Sequence, residues 1–346
     1  MKAVFICEFG GPEKIQVGDL PTPDPGPGQV RIRVKAAALN HLDVWVRRGR
    51  PGLSLDHPHV LGSDASGVVD AVGTGVTNPE PGQEVVVNPG VSCGQCEWCL
   101  RGDQSECPSF RLIGFQQEGT YAEYITVPAS NVVPKPPHLD WAEAAALNLS
   151  HLTAWRMLFA RAGLQAGQTV LIHGIGGGTA LAALQFCGLS GAGAIVTSSS
   201  EEKLERAGDL GAKATINYRK TPDVAAEVRT LTKDRGVDVA FDTVGAATLP
   251  ISMNAIRRGG RIVTCGITGG ANAEVNLQHL YWNHISLIGS TMGSQEDFRR
   301  MHRAVTEAKL KPVMDRVFPL EEYAAAISRM EEGDQFGKIA VVVAGD

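Results

Sequence analysis

Hydrophobic positions follow two different rhythms along this chain. Up to about Val133 the apolar runs are short and are interrupted by glycine and proline, which predicts many short strands joined by tight turns. From about residue 141 to residue 293, strand-like apolar runs alternate with amphipathic helix patterns, of which residues 201–210 and 222–232 are the clearest. The chain therefore predicts a β-rich region followed by an α/β region.

Six apolar runs in the second region predict the strands of one sheet. Strands that alternate with helices form right-handed βαβ units, which build a parallel sheet covered by helices on both faces. Six such strands suit a doubly wound, dinucleotide-binding fold. After residue 295 a helix, a strand near 313–318, a second helix and a final strand at 336–343 close the chain. The six runs are residues 170–173, 194–197, 214–217, 237–242, 261–265 and 285–289.

Composition limits the function classes before any motif is considered. With 346 residues, 43% of them hydrophobic, the chain is long enough for about two domains with separate cores. The net charge of −5 argues against nucleic acid and anionic membranes as partners, because both attract basic surfaces. No run approaches the ~18 apolar residues of a membrane helix, and the first residues do not resemble a leader. We expect a cytoplasmic protein that acts on a small molecule.

Four cysteines lie close together in one loop bounded by glycine and proline. Two, two and seven residues separate neighbouring members of the set. Four thiolates so spaced can close tetrahedrally on Zn²⁺ and leave no position open for a substrate, which makes the site structural. Disulfides or free thiols are the alternative, but the other three cysteines lie singly in apolar runs, as reduced core residues do. The set is Cys93, Cys96, Cys99 and Cys107.

A glycine-rich turn follows the first predicted strand of the second region. Glycines there allow a tight turn and a close approach to a pyrophosphate, whose charge is met by the amides of the following helix. Such turns are common in α/β proteins, but this one follows a strand, opens an apolar helix and precedes the end of the second strand by about 20 residues, as dinucleotide sites require. Ala180 stands where a further glycine usually lets the helix pack closely. The turn glycines are Gly174, Gly176, Gly177 and Gly178.

The cysteine spacing resembles that of the zinc-containing alcohol dehydrogenases of the medium-chain dehydrogenase/reductase superfamily. Other stretches resemble the same proteins along essentially the whole chain, among them MKAVFICEFGGPEKIQV, VRIRVKAAALNHLDVWVRRG, HVLGSDASGVV, PGQEVVV, GTYAEYITVP and EEGDQFGKIAVVV. The resemblance implies a β-rich GroES-like catalytic domain over residues 1–133 and 295–346, with the zinc lobe at 90–110 and the tail packed on the first domain. It implies a Rossmann domain over residues 134–294.

The same resemblance implies a nicotinamide cofactor and an assembly state. Thr153, Gly266 and Lys338 are expected to contact the cofactor in addition to the glycine-rich turn. Members of this superfamily are commonly dimers or tetramers, so we expect a homodimer or homotetramer.

The end of the second strand predicts which cofactor is preferred. An enzyme selective for NAD places Asp or Glu there to bind the ribose 2′-hydroxyl, whereas this chain has Thr-Ser-Ser-Ser at 197–200. The resemblance places Ser198 at the discriminating position and equates Lys203 and Tyr218 with residues that hold the 2′-phosphate in quinone oxidoreductases. Arg219 is a further cation nearby. NADP(H) is therefore favoured over NAD(H), with the alternative that the charges of the following helix are merely solvated.

The resemblance also identifies what this chain lacks. Alcohol dehydrogenases polarise the alcohol oxygen with a second, catalytic zinc held by Cys, His and carboxylate ligands. Those ligand positions align with Asn40, with the Gly62-Ser63-Asp64 segment and with Leu149, of which only Asp64 could bind a metal. Leu42 and Trp45 stand where other members relay the alcohol's proton. The catalytic metal ligands and the relay are lost together.

Nearby histidines leave open a metal site built in another way. His41 with Asp43 and Asp64 is the set to consider, although a histidine beside a polar turn is more often hydrogen-bonded or exposed. Asn40, followed by a short turn and Asp43, instead resembles the zinc-independent quinone oxidoreductases and enoyl reductases. The chain thus combines a dehydrogenase's structural zinc with a reductase's active site.

Three functions stay open from the sequence. The first is NADPH-dependent reduction of quinones or α,β-unsaturated carbonyls, which themselves delocalise the charge that hydride brings. Asn40 is then the first candidate donor to the oxyanion, His41 or His151 the candidate proton source, and Tyr121 a weaker one. The second function is alcohol or aldehyde oxidation with an atypical metal or none, and the third is NADP binding without catalysis. For each residue a structural role in a turn, a helix cap or a packed junction is the alternative.

Overall fold

The computed structural model of this chain describes residues 1–49 and 54–343. It divides into two compact units, which we call unit 1 (Met1–Leu152 and Gly293–Asp346) and unit 2 (Thr153–Met292). Within the described residues, no helix combines the length and the apolar character that crossing a membrane requires.

Short strands dominate the first segment of unit 1, as its interrupted apolar runs predict. The strands are β1 (Lys2–Ile6), β2 (Ile15–Asp19), β3 (Gln29–Ala38), β4 (His59–Val60), β5 (Asp64–Val72), β6 (Glu84–Val87), β7 (Gly90–Val91), β8 (Arg111–Leu112), β9 (Tyr124–Pro128) and β10 (Val132–Pro134). The α-helices are α1 (His41–Arg48), α2 (Glu97–Leu100), α3 (Trp141–Ala146) and α4 (Asn148–Trp155).

Unit 2 is the predicted parallel sheet. A π-helical turn at Arg156–Arg161 precedes it. Its strands are β11 (Thr169–Ile172), β12 (Gly193–Ser198), β13 (Ala214–Asn217), β14 (Val237–Asp242), β15 (Ile256–Thr264) and β16 (Ser286–Gly289). Its helices are α5 (Gly178–Leu189), α6 (Glu201–Asp209), α7 (Val224–Leu231), α8 (Leu249–Ala255) and α9 (Leu277–Trp282). The strand order is β13-β12-β11-β14-β15-β16 and every pairing is parallel, which confirms the doubly wound fold.

The C-terminal segment returns to unit 1, as the resemblance implies. It consists of α10 (Gln295–Glu307), β17 (Met314–Pro319), α11 (Tyr323–Glu332) and β18 (Lys338–Val342). Strand β18 pairs antiparallel with β3, where Ala340 lies opposite Ala38, and extends the sheet β10-β6-β5-β3-β18-β17. The apolar faces of these strands form a core that the side chains of α11 complete.

The boundary between the units lies at Leu152 and Thr153, later than the expected boundary at residue 134. Helix α3 explains the difference. Its buried alanines Ala145 and Ala146 pack against Ala38 of β3 and its neighbours on the sheet of unit 1. The small side chains let the helix approach the sheet closely, so that this segment belongs to the β-rich unit. The second boundary, at Met292 and Gly293, lies close to the expected one at residue 295.

Candidate functional site

The four lobe cysteines converge in unit 1. Cys93 follows β7, Cys96 precedes α2, Cys99 lies within α2, and Cys107 ends the 3-10 turn Gln104–Glu106. The Sγ atoms of Cys93 and Cys99 are 3.9 Å apart, those of Cys96 and Cys99 3.5 Å, and those of Cys107 and Cys93 3.6 Å. Ligands about 2.3 Å from a tetrahedral zinc stand roughly 3.8 Å apart, whereas a disulfide requires about 2.05 Å.

The donor chemistry of the lobe also fits zinc. The backbone N–H groups of Gln95 and Cys96 lower the pKa of the Cys93 thiol to about 6, whereas burial and the neighbouring thiols raise the pKa of the Cys96 thiol to about 11, so the four thiols do not ionise alike. Within the described part of the chain, this set is the one group of three or more His, Cys, Asp or Glu ligand atoms that lie close enough to share an ion. These residues would hold a structural zinc.

The glycine-rich turn of unit 2 has the backbone that a pyrophosphate requires. Gly174 and Gly176 have backbone φ angles of 67° and 128°, a region that residues other than glycine rarely adopt. Gly177 caps α5, which begins at Gly178, so the free amides of the helix start lie at the turn. The amide of Ile175 donates to the carbonyl of Thr197 (2.8 Å), which fixes the turn against β12.

Ala180 does not disturb this arrangement. It is 2% exposed and packs in the buried face of α5 in place of the usual glycine.

The expected 2′-phosphate residues meet at the end of β12. Ser198 is the last residue of this strand, and its carbonyl accepts a hydrogen bond from the amide of Tyr218 (3.1 Å). Ser200 caps α6 by accepting from the amide of Lys203. The Lys203 side chain lies over the glycine-rich turn, because a Cβ added to Gly176 would stand 3.0 Å from its Cδ. Arg219 follows with an exposed side chain.

Glu201, three residues after Ser198, already has partners. Glu201 accepts from the Lys220 ammonium (2.6 Å) and from the Asn217 amide (2.7 Å), and these hydrogen bonds lower the pKa of its carboxyl. Its charge is therefore largely balanced where a cofactor phosphate is expected.

Unit 2 contains two further residues that are predicted to contact the cofactor, and each of them makes packing contacts within the unit. Gly266 follows β15 and packs so close to the Thr243 carbonyl that a side chain would overlap it. The Thr153 hydroxyl lies 3.8 Å from the Met292 sulfur. Their contact with a cofactor stays a prediction.

Three of the residues that align with the lost zinc ligands meet Lys338 around a buried carboxylate. We call these four residues the Asp64 cluster: Asn40, Asp64, Leu149 and Lys338. Asp64 is fully buried and accepts from the Leu149 amide (2.7 Å), the Asn40 side-chain amide (2.9 Å) and the Lys338 ammonium (3.1 Å). Residues that are distant along the chain thus meet around Asp64.

The Asp64 cluster does not fit a catalytic zinc. Both Asp64 oxygens are hydrogen-bonded, and the aligned neighbours offer a neutral amide and a leucine. Ser63, at the position of the family's histidine, donates its hydroxyl hydrogen to the Ile113 carbonyl (2.7 Å) and is fully buried. An ammonium group already balances the carboxylate.

Asp43 is a helix cap rather than a member of a metal site. Its carboxylate accepts a hydrogen bond from the backbone N–H of Asn40 (2.8 Å), as in a capping box at the start of α1. It also accepts one from the Tyr121 hydroxyl (2.6 Å). Burial raises the pKa of Asp43 to about 7.

The candidate histidines are not part of the Asp64 cluster. His41 is exposed on α1 and packs edge-on to Trp45, with ring centroids 6.1 Å apart. His151 is buried in α4, and its Nδ1 lies 3.2 Å from the Ser150 hydroxyl. Among the described residues, His41, Asp43 and Asp64 do not form a group with metal-ligand spacing.

Lys338 lies in unit 1, where its ammonium donates to the Leu39 carbonyl (2.7 Å), Asn40 Oδ1 (2.7 Å) and Asp64. The pairing of β18 with β3 brings it there from the far end of the chain. The one sequence signal was the expected return of the C-terminal segment to the first domain. Its contact with a cofactor stays a prediction.

Comparisons with known proteins agree with this organisation. A family model described as an alcohol dehydrogenase GroES-like domain matches residues 26–137, and one described as a zinc-binding dehydrogenase matches residues 178–307. The chain is 33% identical to a crotonyl-CoA carboxylase/reductase of Cereibacter sphaeroides, over 96% of this chain and 85% of that protein.

Two solved structures are also similar. A crystal structure of an NAD-dependent alcohol dehydrogenase is 47% identical, with a TM-score of 0.95 over 99% of this chain and all of that one. A crotonyl-CoA carboxylase/reductase in complex with NADP is 30% identical, with a TM-score of 0.92 over 99% of this chain and 95% of that one. An alcohol dehydrogenase and a crotonyl-CoA carboxylase/reductase therefore share this fold.

Proposed function

Since the chain belongs to the zinc-type medium-chain dehydrogenase/reductase superfamily of NAD(P)-dependent oxidoreductases, we propose that it reduces α,β-unsaturated carbonyl compounds or quinones with NADPH and without a catalytic zinc. The Asp64 cluster is the observation that carries this proposal. Within this cluster, the positions that align with zinc ligands hold the Asn40 amide, the Asp64 carboxylate, whose two oxygens both accept hydrogen bonds, and Leu149. None of these side chains is Cys or His.

An acceptor of this class does not require a Lewis acid. A bound nicotinamide cofactor would supply hydride to the β-carbon of the conjugated system, and the displaced π electrons would leave an enolate at the carbonyl oxygen. A proton from solvent or from an acidic group then adds to the α-carbon. The protein's task is to stabilise negative charge on one oxygen, which hydrogen-bond donors accomplish.

Asn40 offers one such donor. One hydrogen of its side-chain amide is committed to Asp64 at 2.9 Å, while the contact of Nδ2 with the Ala38 carbonyl is 3.4 Å, at the limit of a hydrogen bond. The second hydrogen is therefore the one available to a substrate oxygen. Asn40 is 8% exposed, so a substrate oxygen has to reach it at the edge of the buried cluster.

The relatives named as crotonyl-CoA reductases support an enoyl-type acceptor, and the arrangement at the end of β12 supports NADPH. Ser198 leaves no acid at the strand end, the Tyr218 backbone amide bonds to the Ser198 carbonyl, and the Lys203 side chain lies over the glycine-rich turn. A 2′-phosphate would gain the lysine's charge there without facing an unpaired carboxylate.

A panel of acceptors tests the proposal. An enone, a quinone, an enoyl thioester and a simple aldehyde are each offered with NADPH and with NADH, and an alcohol with NADP⁺ and NAD⁺, before and after a chelator mild enough to leave the cysteine lobe loaded. We expect faster turnover of a conjugated acceptor, unaffected by chelation, and a loss of about 10²-fold in Asn40→Ala. Thr120→Ala serves as a control, since its hydroxyl donates to the backbone carbonyl of Asp64 and does not contact Asn40.

The second candidate function is an alcohol or aldehyde oxidoreductase. The 47% identical structure of an NAD-dependent alcohol dehydrogenase favours it. Alcohol turnover that is lost on chelation and restored by added Zn²⁺ would establish this function and refute the first.

A further inference from the structure

Two loops follow the neighbouring strands β14 and β15 at the carboxyl end of the unit 2 sheet. We call residues 243–248 the β14 loop and residues 265–271 the β15 loop. The strand order reverses between β11 and β14, and ligands of open α/β sheets bind outside the carboxyl ends of the strands at such a reversal. A Cβ added to Gly174 would stand 3.5 Å from Cγ2 of Val244, so the β14 loop packs beside the glycine-rich turn.

Backbone hydrogen bonds join the two loops into one element. Gly266 permits the close approach, because a side chain there would overlap the Thr243 carbonyl. A movement of the β14 loop is therefore expected to move the β15 loop with it. The donor and acceptor pairs are the Cys265 amide with the Asp242 carbonyl (3.2 Å), the Gly269 amide with the Val244 carbonyl (2.7 Å) and the Ala246 amide with the Gly270 carbonyl (3.0 Å).

The carboxylate of Asp242 fixes the β14 loop at both of its ends. Asp242 is the last residue of β14 and is fully buried. Its Oδ1 atom accepts hydrogen bonds from the backbone amides of Val244 (2.8 Å) and Gly245 (2.9 Å). The Thr248 hydroxyl lies 2.8 Å from each of the two carboxylate oxygens. An aspartate that bonds to amides two and three residues later imposes a turn on the backbone, so the shape of the loop depends on this side chain.

A second aspartate on the same strand has partners of a different kind. Asp238 lies four positions earlier in β14, so its side chain points to the same face of the sheet near the amino end of the strand. Its carboxylate accepts from the guanidinium groups of Arg235 (2.7 Å) and Arg257 (2.6 Å) and from the Thr169 amide (2.9 Å). Asp238 thus ties strands together at the end of the sheet away from the expected cofactor, whereas the donors of Asp242 belong to a loop beside it.

We propose that Asp242 is a positioning residue for the cofactor, which holds the β14 loop and, through it, the β15 loop against the nicotinamide half of the dinucleotide. The adenosine ribose is expected at the end of β12, on the other side of the glycine-rich turn. A dinucleotide that crosses the reversal places its second half beside the ends of β14 and β15. The inference rests on the nicotinamide cofactor of the proposed function and is independent of the acceptor.

The test measures Kd for NADPH and Kd for 2′,5′-ADP, which carries the adenosine half alone. In Asp242→Ala we expect Kd for NADPH to rise about tenfold or more, because a loop that holds its binding conformation about a tenth of the time weakens binding by that factor. Kd for 2′,5′-ADP should stay within about twofold of wild type. Asp242→Asn keeps an oxygen that can accept from both amides, so it should recover most of the loss. If wild type prefers NADH, the two ligands are NADH and ADP.

Amide hydrogen exchange tests the coupling of the two loops. Gly269 belongs to the β15 loop, and its amide donates to the Val244 carbonyl. Its exchange should accelerate in Asp242→Ala together with that of Gly245, because loops joined by hydrogen bonds open as one unit. Exchange at Gly269 that stays as slow as in wild type would contradict the coupling.

Asp238→Ala is the matched control. It removes a buried carboxylate from the same strand, so it should lower the free energy of unfolding while both dissociation constants stay within about twofold of wild type. If Asp242→Ala does not fold, Thr248→Val removes a donor to the same carboxylate and leaves the two amide hydrogen bonds in place. In that variant we expect Kd for NADPH to rise about threefold or more, with Kd for 2′,5′-ADP unchanged.

Three results for the dissociation constants would overturn the inference. Values for NADPH and 2′,5′-ADP that rise by the same factor would give Asp242 a general structural role, and an unchanged Kd for NADPH in folded Asp242→Ala would leave it without a role in binding. Binding by Asp242→Asn as weak as by Asp242→Ala would show that the charge matters rather than the shape of the loop. Wild-type protein that binds NADPH but reduces no conjugated acceptor would contradict the proposed function alone, and the two dissociation constants would still judge Asp242.

Discussion

Two buried carboxylates contact Asn40, and their partners make them chemically different. Asp64 has an ammonium group, that of Lys338, within 3.1 Å. The hydrogen-bond donors of Asp43 are a neutral hydroxyl and a backbone amide, so burial raises its pKa to about 7. Asp43 therefore changes charge near neutral pH, while Asp64 faces the ammonium of Lys338.

Because His302 is buried, we expect the stability of the fold to depend on pH. It is 6% exposed on α10, packs against the Phe298 ring, and in the described structure neither ring nitrogen has a hydrogen-bond partner. Burial lowers its pKa from 6.5 to about 3. The unfolded chain therefore binds the proton more readily between these values, and the free energy of unfolding falls as pH falls below 6.5.

Urea denaturation at pH 7.5 and pH 5 measures this effect. We expect wild type to lose about 2 kcal/mol more than His302→Leu between these two conditions. Equal losses in the two proteins would show that His302 is protonated or hydrogen-bonded when folded.

Ser198 predicts the choice of cofactor. Ser198→Asp places a negative charge at the strand end that Lys203 and Tyr218 also approach, so it should repel a 2′-phosphate. We expect the ratio of NADPH to NADH affinity to fall by about tenfold or more, equivalent to ~1.4 kcal/mol. Ser198→Asn, of similar size but neutral, is the control. Wild-type protein that binds NADH as tightly as NADPH would show that Lys203 does not hold a phosphate.

At the scale of elements, the cysteine lobe contains little regular secondary structure. Helix α2 has four residues, and the 3-10 turn before Cys107 has three. Elements this short are not stable by themselves, so a bound zinc would supply much of the lobe's folding free energy.

Cys96→Ser should therefore release the zinc and destabilise the lobe. We expect elemental analysis to find about one zinc per wild-type chain and far less in the variant. The free energy of unfolding should fall by about 3 kcal/mol or more. Cys7→Ser, which changes an exposed cysteine outside the lobe, should leave both quantities unchanged. Two zincs per wild-type chain would instead reveal a second metal site.

At the scale of the whole molecule, an apolar face of unit 2 supports the proposed homo-oligomer. Strand β16 ends the six-stranded sheet, which leaves a strand edge able to pair with another. Just before it in the chain, α9 exposes Leu277, Tyr281 and Trp282 by 70%, 61% and 66%. Large apolar side chains grouped this way mark association surfaces.

Trp282→Lys should weaken that association. We expect light scattering after size-exclusion chromatography to give a dimer or tetramer for wild type and a shift toward monomer for the variant. Leu100→Lys, at an equally exposed leucine on α2, should not change the mass. A monomeric wild-type protein at micromolar concentration would contradict the proposed assembly.

The sequence by itself determined the features that depend on local order. The zinc lobe, the glycine-rich turn and the six strands of unit 2 follow from cysteine spacing, glycine positions and apolar periodicity, all of which act between near neighbours. Strand limits agree closely, with β14 at Val237–Asp242 as predicted, whereas β15 starts at Ile256 rather than 261.

Only the tertiary structure decided the roles of residues that meet across long stretches of chain. Helix α3 joined unit 1 because its alanines fit the sheet, which no local pattern specifies. Asp43 became a helix cap with a tyrosine partner, and Lys338 met Asp64 across 274 positions because β18 pairs with β3. A side chain's hydrogen bonds, burial and pKa depend on such neighbours, so residue types and spacing identify candidates while three-dimensional packing assigns their work.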